Sequence, residues 1–91
     1  MFGSQKVMTM NQSNKIDIFR TADLAITAAL SVSGFIVDEV ERVSPTRSVF
    51  IFSNSAKLQE SVRQYWRGEL RVEPQSYFNQ LKVLKARIYE R

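Results

Sequence analysis

The sequence predicts a small α+β domain, and three observations carry that prediction. Val49-Phe50-Ile51-Phe52 is an unbroken apolar run of strand-forming residues, so both faces of its strand call for cover. Phe35–Val43 and Arg47–Ser53 flank the triplet Ser44-Pro45-Thr46, where proline fixes one φ angle, and together they read as a β-hairpin. The other apolar residues recur at helical spacing in segments punctuated by Gly34, Gly68 and Pro74. A two-stranded hairpin is not stable alone and must pack on helices or gain strands. The expected order is β-α-β-β-α-(β)-α, with a small, mostly antiparallel sheet and three helices packed chiefly on one face.

Residues 1–14 are polar and aperiodic and read as a flexible tail; residues 15–91 read as one α+β domain. Lys15–Arg20 alternates, with Ile16 and Ile18 on one side, as a short strand does. Thr21 suits an N-cap and Asp23 suits a first helical turn, so a helix is expected over about Ala22–Ser33, stopped by Gly34 in a left-handed C-cap. Its apolar residues wrap nearly all round, which predicts a largely buried helix. After the hairpin, Ser53, Asn54 and Ser55 offer three caps for a helix with the stripe Leu58, Val62, Tyr65 and Trp66, stopped by Gly68. Glu69–Val72 reads as a brief strand or an extended connector. Pro74 opens the last helix, where its missing N–H is harmless, and Tyr77, Leu81, Leu84 and Ile88 form its core stripe.

Composition excludes more than it identifies. The 91 residues contain no cysteine and no histidine. This removes disulfides, thiol nucleophiles, the commonest zinc ligand and the commonest general base. The three glycines, Gly3, Gly34 and Gly68, are too dispersed for a phosphate-binding loop. No serine has a histidine to activate it, and a Ser–Lys pair such as Ser55 with Lys57 is left formally open. Asp38, Glu39 and Glu41 are oxygen ligands in principle, but neighbours on a strand point to opposite faces, so they read as solvated, edge-protecting charges. The expectation is a protein that is not an enzyme and holds no cofactor or metal. No apolar run reaches the roughly 18 residues of a membrane span, and the first 14 residues lack a secretory core, so a cytoplasmic location and no membrane partner are expected.

The formal charge of +4 is uneven: residues 1–45 carry four basic and five acidic residues, residues 46–91 nine and four. On the last helix Phe78, Lys82, Lys85 and Tyr89 share one flank beside the core stripe. Cations interleaved with aromatics suit phosphates and stacked bases. Arg63 and Arg67 form a second basic pair one turn apart, and Arg71 follows in the connector. These seven residues are the candidate nucleic-acid contacts. The plainer reading lays the lysines over an apolar edge with Phe78 and Tyr89 packed beneath, and an acidic protein is the other partner that such a surface suits. Val49 and Ile51, on the strand face opposite Phe50 and Phe52, are the candidate homodimer interface; the tail or Ile16–Phe19 is the alternative cover.

One resemblance adds to this reading. Thr21-x-Asp23-Leu24 with Ala28, Leu30 and Gly34, then Phe50-x-Phe52, then Tyr65-x-x-Gly68-x-x-x-Val72-x-Pro74 with Leu84-Lys85 and Ile88, resembles a family of small bacterial and phage domains of unknown function over residues 18–89. The resemblance implies one domain and transfers no activity or ligand. The functional expectation is a small non-catalytic binding or accessory protein, of phage or mobile-element origin by that resemblance. The alternative is a small nucleic-acid-binding protein using its basic C-terminal helical face.

Overall fold

The computed structural model describes residues 17–89. Six elements follow one another: β1 (Ile18–Thr21), α1 (Leu24–Val32), β2 (Val37–Ser44), β3 (Arg47–Ser53), α2 (Ala56–Trp66) and α3 (Pro74–Tyr89). The strands form one antiparallel sheet of order β1-β3-β2. Both edge strands run antiparallel to β3, so β1 and β2 are parallel to each other and α1 crosses between them, leaving room for β3 in the gap. The fold is α+β, as expected. Lys15, Ile16 and the residues 1–14 read as a tail lie outside the described residues.

Register decides which face is core. Phe19 pairs with Phe52 and Thr21 with Phe50 on one side of β3; Val37 pairs with Phe52 and Val40 with Phe50 on the other. Residues opposite one another project to the same face. Phe50 and Phe52, both fully buried, therefore join Phe19, Val37 and Val40 beneath the helices, with the Phe19 and Phe52 rings 6.2 Å apart. Ile26, Ala28 and Leu30 of α1, Leu58 and Val62 of α2, and Leu84 of α3 complete this core. Leu81 and Ile88, expected in the core stripe of α3, pack against it half-buried, as does Leu24 of α1.

The helix ends follow local chemistry. Asp23, not Thr21, caps α1: its Oδ1 accepts from Ala25 N at 2.9 Å and from Ile26 N at 3.3 Å. Thr21 is held in β1 by pairing with Phe50, and its hydroxyl accepts from Asp23 N instead. α1 closes in a Schellman motif, with Gly34 N donating to Ser31 O and Phe35 N to Leu30 O, and Gly34 sits at φ 107°. Gly68, at φ 73°, closes α2 the same way onto Tyr65 and Gln64. The first of these motifs uses Phe35, so β2 begins at Val37 rather than Phe35, and a register irregularity follows at Asp38. Ser55 is the cap of α2, its Oγ accepting from Leu58 N at 3.1 Å. Residues 69–73 are a connector with no strand pairing.

One core expectation is overturned. Trp66 is 66% exposed. Leu58 and Val62, with Tyr65 half-buried, already fill the contact between α2 and the core, and Trp66 lies about a quarter-turn off that stripe. Its ring stands edge-on to Tyr65, 5.0 Å between centroids.

Candidate binding surfaces

α3 starts on a carboxylate. Glu73 accepts from Gln75 N at 3.1 Å, Ser76 N at 2.7 Å and Ser76 Oγ at 2.8 Å. The Ser76 hydroxyl and these amides hold its carboxyl below the usual carboxylate range. Past that cap the helix carries Lys82, Lys85 and Arg87 and no acidic residue. Phe78 and Tyr89 are 58% and 78% exposed, so neither packs beneath the lysines as the plainer reading expected. Lys82 Nζ lies 5.0 Å from the centre of the Phe78 ring, a cation–π contact on the outer surface. Phe78, Lys82, Lys85 and Tyr89 thus lie together on one exposed flank.

Arg42, which the sequence did not single out, lies at the far end of this flank. From β2 its guanidinium donates to Ile88 O at 2.6 Å and to Pro45 O at 3.0 Å. A cation on the last carbonyls complements the helix dipole. A groove of about 310 Å³ lies between Arg42, Pro45 and Thr46 on the hairpin side and Ile88 and Tyr89 on the helix side.

The cations of α2 are differently placed. Arg63 grips Glu60 through Nη2 at 2.7 Å and Nε at 3.1 Å, and Arg67 Nε lies 3.2 Å from Glu69 with Nη2 3.9 Å from Glu60. The bond from Arg63 is the main reason that the Glu60 carboxyl sits below its usual range. Arg71 turns back onto the carbonyls of Gly68 and Leu70. α2 and α3 each pack on α1. The seven candidate residues therefore divide into Arg63 and Arg67, paired with carboxylates, Arg71, held on backbone carbonyls, and the α3 group, whose helix has no carboxylate of its own.

Val49 and Ile51 lie on the sheet face away from the helices, 7% and 8% exposed in the single chain. Arg20, opposite Ile51, and Glu41, opposite Val49, meet at 2.8 Å across the central strand, so the pair lies over both side chains. Glu41 Oε1 is shut off from water there, in a contact that is ionic rather than an aligned hydrogen bond. An interface through Val49 and Ile51 requires this cover to move.

Asp38 accepts from Ser53 Oγ at 2.6 Å and Glu41 is paired with Arg20. Among the described residues no cluster of three carboxylates is arranged to hold a metal. Ser55, of the Ser55–Lys57 pair, has its hydroxyl engaged as a helix cap. Burial first, then the Asp23 carboxylate and Tyr77, hold the Tyr65 phenol above its usual range, which disfavours its anion. No helix among the described residues is long and apolar enough to cross a membrane. No curated protein and no solved structure matches the chain. A family model matches residues 16–90, and the chain belongs to DUF5659, a family of domains of unknown function.

Proposed function

We propose that the domain is a non-catalytic binding module whose working surface is the flank of α3 carrying Phe78, Lys82, Lys85 and Tyr89. The observation that carries this reading is the exposure of both aromatics beside cations on a helix with no carboxylate of its own. Large side chains left out of a small core mark contact surfaces when they cluster. The absence of histidine and cysteine supports the non-catalytic part. An accessory role in a phage or mobile element rests on the family resemblance alone, and gene neighbourhood tests it.

Within this reading nucleic acid is the favoured ligand class, ahead of an acidic protein. The specific support is Lys82 over the face of Phe78: a ring that already takes a cation on its surface, with Tyr89 and Lys85 beside it, offers both stacking and phosphate contact. Single strands suit it best, because their bases are free to stack. The experiment is a titration of labelled single-stranded DNA and RNA at low salt, repeated as salt rises, beside an affinity capture with and without nuclease. Salt-sensitive binding lost on nuclease treatment supports nucleic acid. Capture of a protein that survives nuclease supports the acidic partner, and failure to bind either nucleic acid or protein overturns the module reading.

A further inference from the structure

We infer that α2 is a self-association surface on which Trp66 is the anchor and a second copy of this chain the occupant. Trp66, the chain's single tryptophan, is 66% exposed at the end of α2 and backed by Tyr65. It shares a flank with Gln59 and Arg63, at the i, i+4, i+7 spacing of a helix–helix seam. An exposed tryptophan with arginine beside it is the composition of an interface centre.

Charge selects the occupant. The surface near Trp66 carries Arg63 and Arg67 against Glu60 and Glu69, all four with side chains open to solvent by about half and already paired within the chain. With both arginines already paired and Arg71 held on the carbonyls of Gly68 and Leu70, this surface attracts a polyanion less than the flank of α3 does. A two-fold interface needs a patch complementary to itself. If two copies of α2 pack antiparallel about an axis between Arg63 and Gln64, Glu60 of each copy comes opposite Arg67 of the other. The Arg63–Glu60 Oε1 and Arg67 Nε–Glu69 bonds stay within each copy, and only the long 3.9 Å contact between Arg67 Nη2 and Glu60 Oε2 is exchanged between copies, so these four charges keep partners as the indole leaves water. This inference does not depend on the ligand of α3. It differs from a dimer through Val49 and Ile51, which the Arg20–Glu41 pair already covers.

The single tryptophan reports the interface directly. Mass by light scattering and tryptophan emission are followed together as the full chain is concentrated. The expected result is a shift from monomer to dimer mass with a parallel shift of the emission to shorter wavelength. Trp66→Ala is expected to weaken dimerisation by about thirtyfold, the effect of removing one interface anchor. Glu60→Arg weakens it, and adding Arg67→Glu to the same chain restores it, a rescue that a merely structural role does not give. Circular dichroism checks that each variant is folded. A monomer at every concentration overturns the inference, as does a dimer whose emission does not move or whose affinity is unchanged by Trp66→Ala.

Discussion

At the scale of single residues, two side chains bear unusual weight. Phe52 is fully buried and pairs with Phe19 on one neighbouring strand and Val37 on the other. Truncation to alanine leaves a cavity that all three strands border. The expected loss is about 3–5 kcal/mol, a large share of the roughly 5–15 kcal/mol that holds a typical domain together. Chemical denaturation of Phe52→Ala reads it, and an unchanged midpoint refutes it. Glu73 acts through its charge. Its carboxyl titrates below the usual value when folded, because Ser76 and the first amides of α3 bind the anion. Its contribution is therefore present above the unfolded-state pKa and is lost as pH falls through the folded-state one. Thermal melts from neutral to about pH 3, below the ordinary carboxylate range, should show Glu73→Gln less stable than the parent at neutral pH, with the gap closing on acidification. A gap that does not change with pH counts against this account. Glu60 titrates in the same direction in both proteins, so the difference between them isolates Glu73.

At the scale of elements, ends matter more than middles. Arg42 joins β2 to the last turn of α3 by its bond to Ile88 O. A cation at a helix C-terminus contributes about 0.3–1 kcal/mol, which is enough to hold a terminal turn and too little to set global stability. Arg42→Met keeps the stem and removes the donors. Amides in the last turn of α3 are then expected to exchange faster with solvent while the melting temperature barely moves; unchanged exchange there rules out the cap. Contacts of this kind also mark what the sequence leaves unreadable. Gly34, Gly68 and Pro74 act within a few residues of themselves, so the stops of α1 and α2 and the start of α3 were legible, and Ser55 was among three caps offered for α2. Arg42 and Ile88 are 46 residues apart, and no local pattern links them. Trp66 fell at helical spacing from Leu58, yet a stripe of two buried residues and Tyr65 satisfies α2, and only the count of neighbouring layers shows that the indole has no cover. The cap of α1 moved from Thr21 to Asp23 because sheet pairing carries β1 as far as Thr21, a tertiary fact. The α3 flank was legible as a pattern, but its exposure depended on the same count of layers.

At the scale of the whole molecule, charge is partitioned by element. Around the end of α2, Arg63 and Arg67 are paired with Glu60 and Glu69, the sheet face pairs Arg20 with Glu41, and α3 keeps Lys82, Lys85 and Arg87 without a carboxylate along its length. On the proposed reading, a polyanion approaching this domain is drawn to α3. The ordering gives a graded prediction for single-stranded nucleic acid. Each phosphate contact contributes about 0.7 to the slope of log affinity against log salt for a single strand, so Lys82→Glu with Lys85→Glu should lower that slope by about 1.4 or more, since glutamate also repels. Phe78→Ala should weaken binding by about 1–3 kcal/mol through lost stacking while leaving the slope nearly unchanged. Arg63→Gln with Arg67→Gln should alter the slope little, because those guanidinium groups are already paired with carboxylates in the free protein. The fold should survive all of these changes, since Lys82, Lys85, Phe78, Arg63 and Arg67 are all exposed. A slope set equally by the α2 and α3 variants would mean that both helices line one surface. Binding that ignores the α3 variants altogether would move the site off α3 and take the proposed working surface with it.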